Sequence, residues 1–597
     1  MANKQPSKWN RMPKMSFSSK DLSRRMKKVE GATVKHARRF VFRRLNNFRE
    51  VRRHIALWVL AIGVLIGASG VQLYWYQQSY RTLAAANDGT YAEAVLGPVE
   101  TLNPLFARSD AEESAGQLLF SRLLAYDTTG TLNYDLAERM TISDNKRVYT
   151  ITIRPDAQWE DGVYVRAKDV VYTVNTIKDP STRSTLSGWD DIRVDAVDDR
   201  TVAFTLPAVY AAFPHALNFL PILPEHILRD VEPSALREHS FSNKPVVSGP
   251  FTVRFIQALD QSEERRVIHL ARNNTYFKGK ANLERFQLHI YGSSEAIVRA
   301  LNISEVNAAT DIAVGDISLV NRGRYNVQRD PINNGVYALF NTTTGVMSDV
   351  KLRQALQVGT NTAALREAVG EGTPGLSLPF IDGQVEGAPT APAFDVQRAA
   401  TLLDEAGWRA NEQGVRQKDG QPLRINIVTI KNGDLERVLE ALQQQWRQLG
   451  ISITTSIVDP SDSAQNVVQN ILQPRNYDVL MYQLTIGGDP DVYAYWHSSQ
   501  ATNGFNFSNY SNTVADDALA SARAVTEKNL RDAKYVNFAR QWLQDVPAIG
   551  LYQVTTQYVS SKNVDTQRRD HQLVSPIDRY ADVLYWSVGQ QFLQQTP

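Results

Sequence analysis

The segment with the most chemical content runs from Tyr482 to Trp496. Tyr482-Gln483-Leu484-Thr485-Ile486 alternates as a strand does, and Gly487-Gly488 breaks the run. Two adjacent glycines permit a sharp turn or close backbone approach to a ligand. Asp489 and Asp491 follow on either side of Pro490, with Trp496 a few residues on. A carboxylate here could hold an ammonium or another donor group, because charge-assisted hydrogen bonds are the stronger kind. Gly488, Asp489, Asp491 and Trp496 are therefore candidate ligand-binding residues. The competing expectation is that Asp489-Pro490-Asp491 shapes a turn and caps the next helix.

Other chemistries lack their residues. The chain has no cysteine, which removes disulfides, thiol nucleophiles, thiolate metal sites and an acylated-cysteine anchor. Its nine histidines are scattered, with no pair at helical ligand spacing, so no metal site is expected. There is no G-x-S-x-G elbow and no Walker loop. Gly370, Gly372 and Gly375 spell G-x-G-x-x-G, but a helix-like run precedes them where a dinucleotide site needs a strand. The motif reads as a surface loop. With no nucleophile–base or metal constellation, the sequence points to neither an enzyme activity nor a cofactor.

These candidates need elements to hold them. Leu423, Ile425 and Ile427 alternate as a strand, Asp434 is a candidate N-cap, and Leu435, Leu439, Leu442, Trp446 and Leu449 share one helical face. Gly450 ends that helix before a second strand at Ile451, Ile453 and Ile457, so 423–457 predicts a βαβ unit in a parallel α/β sheet. Residues 191–206 read instead as a hairpin turning at Asp198-Asp199, an antiparallel sub-region.

The chain of 597 residues is long enough for two or three packed lobes. Residues 1–54 hold 17 Lys/Arg against 3 Asp/Glu, whereas the remainder holds 48 against 60. Between these unlike parts, Ile55 to Val71 carries no charge, Trp58 stands near one end and Tyr74-Trp75-Tyr76 at the other. A span with aromatic belts and a basic inner flank predicts a single transmembrane helix at 55–76, N-terminus cytoplasmic. The alternative is a signal peptide cleaved near Ala84-Ala85-Ala86. The basic region and the apolar run are both too long for that, and the alanines lie well past the apolar end. Val34, Ala37, Val41, Leu45 and Phe48 recur at helical spacing among arginines, which predicts a membrane-surface helix rather than nucleic-acid binding.

Several separated segments resemble the bacterial extracellular solute-binding proteins of family 5. They include Thr101-Leu102-Asn103-Pro104-Leu105-Phe106, Leu136-Ala137-Glu138, and Tyr149-Thr150-Ile151-Thr152-Ile153-Arg154-Pro155-Asp156-Ala157-Gln158-Trp159-Glu160-Asp161-Gly162. Ser248-Gly249-Pro250-Phe251, Leu402-Leu403-Asp404-Glu405-Ala406-Gly407-Trp408 and Asp489-Pro490-Asp491 continue in family order. Most of these residues are expected to build the fold rather than touch ligand.

The resemblance implies an α/β, two-lobed, periplasmic-binding-protein-like clamp of type II with an extra subdomain. Before that clamp, the charge and hydropathy pattern gives a basic tail at 1–54, the span at 55–76 and a short polar linker at 77–90. Lobe I would comprise 91–336 and 549–597, with an insert at about 126–243, and lobe II 337–548. Hinges would cross near Tyr337–Asn341 and Ala548–Tyr552. The Asp489 segment would face the cleft opposite the Asn103-Pro104 turn, which adds Asn103 and Phe106 to the candidate ligand residues.

The implied partners are a peptide or other small solute and the permease and ATPase subunits of an ABC importer. The chain would be a monomer at the cell membrane with its binding domain outside. The alternative function is a tethered sensor or adhesin using the same clamp. One departure matters: family peptide receptors hold the α-ammonium with an aspartate four residues before the proline of the D/E-P element, and here Ile486 occupies that position.

Overall fold

The computed structural model describes residues 48–79, 81–85, 88–260, 265–459, 466–566 and 571–594. Residues 34–47 of the membrane-surface helix expectation lie outside that set. The chain divides into two compact units, one of residues 1–84 with 592–597 and one of Ala85–Gln591. In the first, a single helix runs Phe48–Ser79. Its Arg52–Trp75 portion is long and apolar enough to cross a membrane, with none of its most apolar stretch buried.

The second unit is organised by one ten-stranded sheet. Its strands are β1 (Thr90–Leu96), β2 (Phe251–Asp260), β3 (Arg265–Arg272), β4 (Arg285–Tyr291), β5 (Ala308–Ala309), β6 (Tyr325–Phe340), β7 (Arg424–Ile430), β8 (Ser452–Val458), β9 (Val479–Thr485) and β10 (Ala548–Ser561). The spatial order is β8-β7-β9-β6-β10-β5-β1-β4-β3-β2. Two parallel groups, β7 with β8 and β9, and β1 with β4 and β5, lie on either side of the long antiparallel β6–β10 pair. That pair runs from Tyr325 opposite Ser561 to Leu339 opposite Ala548, with register shifts between Pro331 and Gly335 and between Val336 and Tyr337.

The apolar side chains condense on two sides of this pair. Residues before Val327 and after Tyr558 build one set of cores, including Tyr91, Val95, Phe286 and Trp586. Residues between Val336 and Val554 build the other, including Ile425, Ile427, Leu439 and Trp446. Beneath the first set, Glu93 is fully buried and paired with Arg579 at 3.0 Å. Tyr580 Oη and Tyr91 Oη also donate to it, at 2.6 and 2.7 Å. Burying a carboxylate is tolerable only with this degree of pairing.

The 423–457 segment forms β7, the Gly433–Gln448 helix and parallel β8. The helix buries Leu435, Val438, Leu439, Leu442 and Trp446. Its N-cap is Asn432, not Asp434: the Asn432 Oδ1 accepts from the Asp434 amide at 3.0 Å. The 191–206 hairpin pairs Arg193–Ala196 with Thr201–Thr205, and Asp198 Oδ1 accepts from the amides of Arg200 and Thr201 at the turn. It belongs to a separate four-stranded antiparallel sheet with Ala137–Ile142 and Val148–Ile153. Trp159 is fully buried there, and Asp169 accepts from the Arg166 and Glu225 amides at 2.7 and 2.9 Å, so this signature builds the fold. Gly370 follows the Thr362–Val369 helix and lies against the Arg329 guanidinium, so the G-x-G-x-x-G run is a helix exit.

Candidate functional site

Strands that run parallel leave their carboxyl ends on one edge, and ligands of α/β proteins sit outside such ends. Here both parallel groups do this toward a common cavity of about 430 Å³. Leu96 closes β1, while Ser294 and Asp311 lie just beyond β4 and β5. Asp110, at the start of the Asp110–Leu119 helix, completes that wall. The opposite wall is Asn432, Asp434 and Arg437, just beyond β7, with Gln483 on β9. The crossing strands contribute Ile332, Tyr552, Thr555 and Gln557.

The two walls differ in charge. Asp434 pairs with Arg437, whose Nε also donates to the Ala368 carbonyl at 3.0 Å. Asp311 is steered by its neighbours: Oδ2 accepts from the Leu96 amide at 3.2 Å and from Thr310 Oγ1 at 2.7 Å. Asp110 is open to cleft water and makes no hydrogen bond or ion pair through its side chain among the described residues. The surrounding walls push its carboxyl above the ordinary range, and Asp311 adds to that.

A second junction joins the same two halves. Tyr126 and His215, from the first half, meet Gly488 and Asp489 from the second. Gly488 lies so close to Tyr126 that a Cβ there would stand 2.7 Å from the ring carbons Cε1 and Cζ. Tyr126 Oη and His215 Nδ1 are 2.7 Å apart, and His215 Nε2 is 3.6 Å from Asp489 Oδ2. Burial pushes the His215 imidazole below its usual range; Asp489 opposes this and Arg531 assists it. Nearby, the Ala211 amide donates to the Arg523 carbonyl at 2.9 Å, and the Arg523 guanidinium covers the Tyr210 and Tyr493 rings at 4.7 and 4.3 Å.

The sequence candidates Gly488, Asp489 and Asp491 all stand at this junction. Asp489 is buried in a two-armed pair with Arg531, one arm at 2.6 Å. Asp491 is paired with Arg523 at 2.8 Å. Asp489 Oδ1 also accepts from the Asp491 amide at 3.0 Å, as the turn-shaping expectation has it. Trp496 is fully buried, edge-on to Trp542 at 5.5 Å and to Tyr337 at 5.9 Å.

Asn103 and Phe106 are buried in the first half. Asn103 Oδ1 caps the Pro104–Phe106 turn through the Leu105 amide at 3.2 Å, and Phe106 lies under the Arg237 guanidinium. None of these six lines the 430 Å³ cavity. The apolar rings and the cap are held by folding contacts, and both aspartates already have cations. Ile486 is buried, its amide donating to the Asn333 carbonyl at 2.9 Å. Sequence reasoning missed Asp110, Asp311 and Gln557, whose positions beyond strand ends or on a crossing strand become visible only with the topology.

Comparison with known proteins gives a consistent family. Residues 131–507 match the model for bacterial extracellular solute-binding proteins, family 5 Middle. The oligopeptide-binding protein AppA of Bacillus subtilis is 24% identical over 491 residues, covering 79% of this chain and 87% of its own length. Among solved structures, the ABC transporter substrate-binding protein CtaP of Listeria monocytogenes has a TM-score of 0.72 at 24% identity, over 84% of this chain and 99% of that one. NikZ of Campylobacter jejuni, in complex with Ni(L-His), has a TM-score of 0.67 at 23% identity, over 83% and 99%. These solved structures are two-lobed periplasmic binding proteins, the fold class of this chain.

Proposed function

The chain belongs to the bacterial extracellular solute-binding proteins of family 5, and from that premise we propose a membrane-tethered receptor that captures a small solute between its lobes and passes it to an ABC importer. The observation that carries this reading is the cavity at the carboxyl ends of parallel strands from both halves, backed by the two crossing strands. A clamp of this kind binds by closing two rigid halves on the solute and does no chemistry on it.

AppA is by its name an oligopeptide-binding protein, and NikZ was solved with Ni(L-His). The solute here is accordingly a peptide or a compact nitrogen-bearing compound. With Ile486 at the family's ammonium position, a peptide α-ammonium is not met there.

The Arg52–Trp75 helix supplies the tether. Its 24 residues extend about 36 Å at ~1.5 Å per residue, enough for a hydrocarbon core of ~30 Å. Tethering keeps the receptor at high local concentration beside its permease.

Native mass spectrometry of the purified chain tests the reading. A co-purifying solute that leaves unchanged and raises the melting temperature on return is the expected result. A solute released in chemically altered form refutes a pure receptor.

A further inference from the structure

We propose that the interlobe cavity takes its solute by a cationic nitrogen group, an ammonium or guanidinium, held by Asp110 and Asp311 with Gln557 as a further acceptor. This assignment rests on the receptor reading and names the chemistry of the same cleft.

The first observation is a charge imbalance. On one wall Asp434 is neutralised by Arg437. On the other, Asp110 and Asp311 face the cavity with no cation from the cleft lining between them. Arg579 is the cation that bears on both, and it is buried behind them and committed to Glu93 at 3.0 Å. Asp311 is oriented through Oδ2 alone, since both its hydrogen bonds end on that oxygen. Its Oδ1 accepts nothing from the described residues.

The second observation is independent of charge. Gln557, on β10, lines the same cavity, is 7% exposed, and its Oε1 accepts no hydrogen bond among the described residues. A buried acceptor left unpaired costs free energy, and a donor arriving with the solute would relieve that cost.

Asp110, Asp311 Oδ1 and Gln557 Oε1 are all acceptors. An ammonium offers three N–H donors and a guanidinium five, which fits a set of acceptors, whereas a carboxylate or phosphate offers none. The ordinary account of Asp110 is a negative charge at a helix N-terminus, mildly favourable in any helix. It does not explain Asp311 or the unpaired Gln557.

Two matched probe pairs test the assignment by titration calorimetry on the full chain in detergent. One pair is the Ala-Ala-Ala amide with and without an N-terminal acetyl group. The other is the doubly capped Ala-Arg-Ala and its citrulline counterpart, which differ only in charge. At least one cationic member should bind roughly tenfold or more tighter than its neutral twin, and Asp110→Asn and Asp311→Asn should each erase most of that preference. Asp110→Asn is the decisive variant, because its carboxylate supports no hydrogen bond whose loss would disturb the fold. Equal binding of both members, or a preference that survives Asp110→Asn, overturns the cation assignment and leaves the receptor reading standing. Failure of all four probes to bind also overturns the assignment, while the mass-spectrometric experiment judges the receptor reading separately.

Discussion

Replacing Gly488 by alanine should prevent the two halves from meeting. The added Cβ would lie 2.7 Å from two ring carbons of Tyr126, well inside van der Waals contact. Gly488 does not have a positive φ, unlike Gly487 at +79°, so the strain is steric and belongs to the junction rather than to the loop. Overpacking of this size costs about 1–3 kcal/mol. Only the closed arrangement bears that cost, so the closure equilibrium should shift about five- to a hundredfold toward open, and solute affinity should weaken in proportion.

The chain has no cysteine, so nitroxide labels at Asn145→Cys and Asn529→Cys report the separation across the junction without background. Pulsed electron–electron resonance should show a short-distance population in the parent that is depleted in Gly488→Ala, with or without solute. Adding Tyr126→Ala removes the obstructing ring and should recover part of it. If the Gly488→Ala distance distribution superimposes on the parent's, Gly488 does not gate closure and the steric argument is wrong.

Three further outcomes follow from named contacts. The His215 imidazole sits below its ordinary value of about 6.5 when packed against Tyr126, Asp489 and Arg531. An opened junction would restore that value, so the open state binds more protons, and acidification through pH 6.5 should open the clamp. The same spectroscopic distances should lose this pH response in His215→Gln; a response that persists there rules out this histidine. Glu93→Ala strands Arg579 in the core and should lower stability by about 3–5 kcal/mol in urea titration. A loss under about 1 kcal/mol would show the pair to be dispensable. For topology, a cysteine at Ser7 should resist a membrane-impermeant maleimide in intact cells and one at Asn529 should react; the reverse pattern defeats the tether as drawn.

The βαβ segment was legible because its pattern is local: alternation in β7 and a three-to-four repeat in the following helix survive in the sequence alone. The cap was misplaced by two residues because Asn432 and Asp434 are both good acceptors, and Gly433 between them gives no propensity signal for where the helix begins. The antiparallel hairpin was legible for the same local reason, whereas the six-residue shortlist around Asp489 and Asn103 was not decidable. Its chemistry was visible, but the partners that consume it were not. Arg523 and Arg531 lie 32 and 42 residues downstream of the aspartates they neutralise.

A carboxylate's availability is a property of its surroundings rather than of its type or of the glycines beside it. Asp489 and Asp491 sit in the more suggestive motif, yet each already has an arginine, so admitting a ligand cation would require breaking a desolvated pair. Asp110 and Asp311 sit in unremarked sequence, 201 residues apart, and have no such cation on their wall of the cleft. Charge balance therefore gives the two pairs opposite tasks: the first holds the junction that closes the clamp, and the second remains unneutralised for the solute.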